Sequence, residues 1–338
     1  VSRIAFGLYA TVAVLSGCAG AQPPIPQHST FDQSTSSAAE FRHGASWMRP
    51  EAKDEDLLYV SDQGAGSVYV YSYPAGHLVG TLTGFNAPAG ECVDTSGNVF
   101  ITNFSGANIV EFAHGGTSPI ATLNDSSAYP SGCSFDPKTR DLAVSNWGTY
   151  RGYAHGNVAI YKDAQGAPQT YTDPSIDWYD YCTYDNKGNL FVDGYVLYSY
   201  FLVAELPRGK SALKNIAIAN PGTYAGNIQW NGKYLVVADD RGFGSGQKGP
   251  QLIDQVKVSS STGTVINTVK LFDSWYGNSG VSVQFWIVNG KMIMPWAKGS
   301  GYNPNYLGVW RYPSGGKSIR SITGFQYALG VTVSLAPH

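Results

Sequence analysis

The sequence is short of charge. Of its 338 residues, 22 are Lys or Arg and 24 are Asp or Glu, 14% together, against roughly 25% in an average soluble domain. Neither sign dominates. The formal net charge is −2, so the chain carries no basic footprint and nucleic acid is not an expected partner. Beyond the first thirty residues it has no apolar run long enough to span a bilayer. Helical periodicity is nearly absent. The HExxH and GxSxG signatures are missing, and no Ser-His-Asp order suggests itself, so the common hydrolase motifs assign nothing. What is present is a 43% apolar content, enough to bury a core and to argue against disorder. There are also 40 Gly, 18 Pro, 23 Tyr, 14 Phe and 8 Trp.

The first residues read as an address. Arg3 precedes an apolar run from Ile4 to Leu15, and Leu15-Ser16-Gly17-Cys18 follows. The run is too short for a permanent span and suits a secretory signal. The four residues resemble the lipobox of bacterial lipoproteins. That resemblance implies cleavage before Cys18 and a lipid on it; cleavage after Ala19-Gly20-Ala21 is the alternative. Ala19 stands where Asp would signal inner-membrane retention, so the resemblance implies the outer membrane or cell surface. Residues 18–50 are rich in Gln, Pro, Ser, Thr and Ala and read as a flexible tether. The expected organisation is a signal over 1–17, a tether over 18–50 and a folded domain over 51–338. The membrane is touched through the lipid on Cys18 alone.

From Leu57 onward the chain repeats. PAGECVDTSGNVFITN (88–103), PSGCSFDPKTRDLAVSN (130–146), WYDYCTYDNKGNLFVDG (178–194), AGNIQWNGKYLVVAD (225–239) and SVQFWIVNGKMIMPW (282–296) each read as strand, tight turn, strand. The turn residues Asp, Asn, Gly and Lys suit tight hairpins. Two further strands follow in most units. Four short strands at a period of about 45 residues predict an all-β fold, a β-propeller of four-stranded blades. Leu57–Gly84 supplies three strands without an inner one, and ALGVTVSL (328–335) supplies an inner strand alone. Together they complete one blade, removing open edges and closing a ring of six. The last three units fit the pattern less closely.

The pattern Pro-x-Gly-x-x-x-Asp followed by Gly-Asn and three apolar residues, clearest at 88–101, resembles the NHL-type propellers. That group includes gluconolactonase-like and streptogramin-lyase-like proteins. The resemblance covers about 280 residues and specifies fold far more than chemistry.

Propeller topology sorts the loops onto two faces. The turns joining first to second and third to fourth strands are short. The other face carries NWGTYRGYAHG (146–156), DPSIDWYDY (173–181), DDRGFGSGQKG (239–249), FDSWYGNSG (272–280) and WAKGSGYNPNY (296–306). Trp147, Tyr150, Tyr153, Trp178, Tyr179, Trp275, Tyr276, Trp296, Tyr302 and Tyr306 fall there. Aromatic rings interleaved with Asn, Asp and Gly on long loops predict a binding face. The expected occupant is a glycan, a small ligand or an envelope protein, bound by a monomer without catalysis.

The inner strands suggest an alternative. Aligned on Asp94, Asp136 and Asp185, they place Glu91, Cys133 and Cys182 in one ring, and a one-residue gap in the later turns brings Asn227 and Gln284, with Val331 of the closing strand, into the same ring. Gluconolactonase-like propellers hold an axial divalent metal, such as calcium, on Glu, Asn and Asp. The resemblance implies that Glu91, Asp180 and Asn227 play that part in a metal-dependent lactonase or esterase. The family's Glu-Gly-Pro segment is missing here. Asp94, Asp136 and Asp185 read as turn caps, and Asp62, Asn103, Asn146 and Asp239 as loop anchors. His77 and His114 are expected on the short-turn face, exposed, and His155 on the aromatic face. Cys92, Cys133 and Cys182 leave an odd thiol. Cys133 and Cys182 share a register on strands that look too splayed to bond, so three small buried thiols are expected.

Overall fold

The computed structural model describes residues 44–125, 128–149, 155–196, 200–219, 225–239, 250–272, 283–297 and 304–337. The signal, Cys18 and the tether up to residue 43 lie outside them. Among the described residues there are twenty-five strands, three short 3-10 helices and no α-helix. No helix among them is long and apolar enough to cross a membrane.

The strands come as successive antiparallel arrays. The first holds β1 (Trp47–Met48), β2 (Leu57–Asp62), β3 (Ser67–Ser72) and β4 (Leu78–Thr83). The second is β5 (Pro88–Val93), β6 (Val99–Asn103), β7 (Asn108–Phe112) and β8 (Pro119–Asn124). The third is β9 (Ala128–Phe135), β10 (Leu142–Thr149), β11 (Asn157–Tyr161) and β12 (Gln169–Tyr171). The fourth is β13 (Trp178–Tyr184), β14 (Leu190–Val196), β15 (Tyr200–Leu206) and β16 (Lys214–Ile218). The fifth is β17 (Ala225–Trp230), β18 (Leu235–Asp239), β19 (Gln251–Ser259) and β20 (Thr262–Phe272). The last is β21 (Trp286–Val288), β22 (Lys291–Trp296), β23 (Tyr306–Arg311) and β24 (Gly315–Thr323). Then β25 (Ala328–Ser334) returns to pair with β2, Val331 opposite Val60. Short parallel bridges join β20 to β16 and to β24.

One boundary shifts. Trp47 and Met48 pair with Thr81 and Gly80 on the outer strand β4. The folded region therefore starts before residue 51, inside the stretch that composition assigns to the tether. A two-residue edge strand is too short to leave a hydrophobic period.

The packing explains why the strands are apolar on both sides. Along β2, Leu57 and Tyr59 join Val68 and Val70 against Val99, Ile101 and Phe112 of the second array. Leu58 and Val60 join Tyr69 and Tyr71 against Ile293, Leu307 and Val309 of the last. A strand between two neighbouring sheets buries both faces, and each fully buried aliphatic or aromatic side chain contributes roughly 1.5–3 kcal/mol. The same division recurs in the clusters between the other arrays. Outer strands face water on one side, where Ile120, Ile266 and Ile319 are exposed.

The turn caps are as the sequence predicts. Asp94 accepts the Ser96 and Asn98 N–H groups, both at 2.8 Å. Asp136 accepts Lys138 N–H at 2.9 Å, and Asp185 accepts Lys187 and Asn189 N–H at 2.8 Å. Asp62 accepts Gln326 and Tyr327 N–H, and Asn103 accepts Asn86 N–H at 2.7 Å. His114 is not the free surface residue expected. It is half-buried, with Nδ1 2.6 Å from Ser334 Oγ and Nε2 2.9 Å from the Glu55 carbonyl.

Candidate functional site

Inner strands must approach one another closely. A Cβ on Gly132 would lie 2.6 Å from the Tyr181 ring and 3.0 Å from the Asp180 carbonyl, so only glycine fits. The pairing register slips at a matching point in β5, β9, β13, β17 and β25. Such bulges re-aim side chains and leave backbone groups needing partners. Nearby polar side chains supply them. Ser145 donates to Asp180 O at 2.7 Å, and Asn227 Nδ2 to Phe285 O at 3.0 Å. Gln284 accepts Glu91 and Val331 N–H at 2.8 and 3.0 Å and donates back to Glu91 O at 2.6 Å.

Three carboxyls are buried here. Glu91 accepts Ser61 O–H on Oε1 at 2.6 Å, while its Oε2 has no partner. Burial pushes its carboxyl up to about 8. Asp180 accepts the Tyr195 hydroxyl, and burial raises it to about 8 too. Asp193 accepts Tyr181 N–H at 2.7 Å; burial and then the neighbouring Asp180 carboxyl raise it well above the usual range. The second oxygen of each Asp is without a partner. Orphaned oxygens suit a hard cation. Yet no group of three or more His, Cys, Asp or Glu among the described residues is arranged to hold one, and the Asn227 amide is committed to Phe285. The donor set that the resemblance implies fits a metal poorly, and no chemical step is routed through one.

The loop-bearing end carries a row of rings. Tyr129 stacks on Phe104, centroids 4.8 Å apart and 21° between planes. Phe104 leans on Trp147 at 6.2 Å, Trp147 stacks on Trp178 at 4.8 Å and 19°, and Trp178 meets Tyr195 edge-on at 6.5 Å and 77°. Trp147 is 36% exposed; the other four are partly exposed. Beside the row, His155 Nδ1 sits 2.6 Å from Asp177 Oδ1. Asp177 N–H donates to Tyr195 O at 2.7 Å, and Gly156 N–H to Asp177 O at 2.6 Å. These bonds tie the chain after the long loop to the row.

Of the sequence-predicted face, Trp147 and Trp178 belong to this row. Tyr179 and Trp296 do not belong to an accessible face. Tyr179 is fully buried, its hydroxyl accepting Asp173 N–H at 2.6 Å. Trp296 is 6% exposed and packs 5.6 Å from Trp310. Tyr306, opposite Trp296 across the β22–β23 pair, packs against the same cluster. Alternation decides this: a ring at a strand end faces either the neighbouring array or water, and loop membership alone does not say which. Tyr150, Tyr153, Trp275, Tyr276 and Tyr302 lie outside the described residues.

Phe104, Tyr129 and Tyr195 are row members that the sequence reading missed. The signal was present in the repeat. Phe104, Trp147 and Tyr195 each follow the residue that ends the repeated second-strand segment, Asn103, Asn146 and Gly194. Tyr129 and Trp178 stand one before Pro130 and Tyr179, and Trp178 lies opposite Tyr195 in the pairing. Two repeat positions, filled by rings in successive arrays, build the row.

No protein-family model matches this chain, and no curated protein matches it. Solved structures do match. One is a chain from a crystal structure of a nidogen/laminin complex, with a TM-score of 0.62 at 10% identity, covering 84% of this chain and 100% of that one. Another is a protein of unknown function from Bacteroides caccae, with a TM-score of 0.58 at 12% identity, covering 83% and 99%. At such identities the likeness is one of fold. The all-β arrays, their cores between successive sheets and these neighbours give the architecture: a β-propeller.

Proposed function

We propose that this chain is an exported, lipid-anchored interaction module: a six-bladed ring that docks a protein partner along the row Tyr129–Phe104–Trp147–Trp178–Tyr195. The pairing of β25 with β2, and the cluster joining β2 and β3 to β22 and β23, support six blades and a closed ring. The lipobox-like Leu15-Ser16-Gly17-Cys18 supports the anchor and a place at the outer membrane or cell surface.

The observation that carries the docking reading is the row itself. It crosses three successive arrays on the long-loop end and keeps Trp147 more than a third exposed. Trp and Tyr dominate protein interfaces because they bury much area at low entropy cost. Tyr129 and Phe104 cover each other's faces, as do Trp147 and Trp178, while Phe104 leans on Trp147 and Trp178 meets Tyr195 edge-on. They offer edges and a continuous ridge to a partner, which suits an extended protein surface better than a sugar stacking on one open ring. One structural neighbour comes from a protein complex.

The test is recovery from envelope extracts with the chain and with a Trp147→Ala/Trp178→Ala double variant. The expected result is a stoichiometric protein retained by the first and lost by the second, with the melting midpoint little changed. Equal retention by both overturns the assignment. Glycan binding at the row, without a protein partner, overturns the partner class.

A further inference from the structure

The short-turn end of the molecule separates charge by array. In the fourth array its turns and adjoining strand ends carry Lys187, Arg208, Lys210 and Lys214. The fifth adds Lys233 and Lys257, and the last adds Lys291, Arg311 and Lys317. All of these nine cations but Lys291 are exposed. The carboxyls among them are Asp185 and Glu205. In the first two arrays the same end carries Glu51, Asp54, Glu55, Asp56 and Asp94 beside Lys53. The near-even balance of 22 basic and 24 acidic residues conceals this separation.

The cations of the later arrays lack carboxylate partners for a local reason. Asp185 spends its oxygens on the turn, accepting Lys187 and Asn189 N–H at 2.8 Å and Asn189 Nδ2–H at 2.9 Å. Glu205 lies opposite Lys214 across β15 and β16, and partial burial raises its carboxyl more than Lys214 and Lys187 lower it. Among the described residues the one salt bridge is that of His155 with Asp177, and none of the nine cations forms one.

The turns that carry them are fixed to one another. Asn186 Nδ2 donates to Gly232 O at 2.9 Å, and Asn186 Oδ1 accepts Trp230 Nε1–H at 3.1 Å, joining the fourth array to the fifth. Asn231 Nδ2 donates to the Tyr312 hydroxyl at 3.0 Å, joining the fifth to the last, where Tyr312 N–H donates to Gly290 O at 2.9 Å. The charges therefore stand on one hydrogen-bonded crown.

Seven of the nine are Lys. Lys is a hydrated point charge, whereas Arg supplies the planar fork that reads an individual phosphate or carboxylate. A Lys-rich crown on short turns suits a broad anionic surface better than a shaped anionic ligand. Each such charge near an anionic bilayer strengthens binding roughly fivefold. The geometry points to a second interaction surface: the short-turn end of the fourth to last arrays docks on the anionic headgroups of a lipid bilayer. The acidic first and second arrays are repelled, so the molecule meets the bilayer tilted onto its basic arrays. The aromatic row, on the long-loop end, stays open to a protein partner. This inference rests on the proposed export to a membrane.

The test uses the full chain, without acylation of Cys18 and without any partner, so neither the anchor nor docking at the row enters its outcome. Sedimentation is measured with vesicles of phosphatidylcholine containing about 30% phosphatidylglycerol and with vesicles of phosphatidylcholine alone. The readout is the ratio of the two affinities, which an apolar N-terminus common to all variants does not change. The wild type is expected to favour the anionic vesicles by about 100-fold or more at about 0.1 M salt. The ratio is expected to approach one at about 1 M salt, where the screening length falls to about 3 Å. Lys187→Glu/Arg208→Glu/Lys210→Glu/Lys233→Glu is expected to bring the ratio near one at low salt with the melting midpoint little changed, while Trp147→Ala/Trp178→Ala keeps the wild-type ratio. Should the charge reversal not fold, Gln at the same four positions is read by the same criteria. A wild-type ratio near one, or a ratio unchanged by the charge reversal, overturns the inference. Retention on an anionic polysaccharide or nucleic acid without preference for anionic vesicles overturns the bilayer as the partner.

Discussion

Cys92 on β5 and Cys133 on β9 are joined by a disulfide, their Cα atoms 5.6 Å apart. Three unpaired thiols are the expectation from sequence, because Cys133 and Cys182, the two that share a register in the aligned repeats, sit on strands that read as too splayed to bond. The bond forms on the diagonal instead. Position 92 matches Ser134 in the repeat, and position 133 matches Glu91 and Cys182. Cys182 is buried and unpaired, its Sγ 3.6 Å from Ala143 O.

The disulfide ties neighbouring inner strands across a separation of 41 residues. Cys92→Ser, or reduction, is expected to lower unfolding free energy by about 2–4 kcal/mol. Urea unfolding with and without reductant reads this; identical midpoints would show that the bond does not form.

The same diagonal brings Ser134 to Cys182. Ser134→Cys is expected to form a second disulfide with Cys182, with loss of the bond that Ser134 Oγ accepts from Tyr184 N–H at 3.0 Å. Peptide mapping under non-reducing conditions decides it. If the thiol introduced by Ser134→Cys stays free after oxidative refolding, the offset does not carry from the second and third arrays to the third and fourth.

Trp147 and Trp296 are predicted to part company. Trp296→Ala empties a core site against Trp310 and is expected to cost about 3–5 kcal/mol. Trp147→Ala removes a partly exposed ring and is expected to cost about 1 kcal/mol or less. Denaturant midpoints rank them, and the reverse order would contradict the burial of Trp296.

Glu91 makes stability pH-dependent. Its carboxyl ionises near 4.5 when the chain is unfolded and near 8 when buried. Between those values the folded state keeps a proton that the unfolded state has released. Stability therefore falls as pH rises, by about 1.4 kcal/mol per unit for this group, and levels off above its folded value. Glu91→Gln is expected to remove that slope and to leave the variant the more stable at about pH 9. Parallel curves of unfolding midpoint against pH for the two proteins would contradict the buried, weakly compensated carboxyl.

Deleting β25, Ala328–Ser334, strips β2 of its partner and uncovers Val60 and Tyr69. The truncated chain is expected to lose cooperative unfolding by circular dichroism. A chain that still melts as the intact one does would remove the support for ring closure.

Much of this protein is legible in one dimension. The strand periods, the Asp caps at 94, 136 and 185, and the return of 328–335 to the first array follow from local turn chemistry and from apolar runs that need burial on both sides. Trp147 and Trp178 were visible as exposed-loop aromatics. The tertiary structure alone decided three things. Rings close in sequence, such as Trp178 and Tyr179, go to opposite destinations, because adjacent residues on a strand point to opposite sides. Cys92 meets Cys133 because inner strands meet on a diagonal, a relation that aligned repeats do not express. Asp180 and Asp193, thirteen positions apart and inconspicuous among the acidic residues, become neighbouring buried carboxyls because β13 pairs with β14 across a register shift. Periodicity encodes which side of its own strand a residue occupies; the offset between neighbouring sheets determines what it meets there.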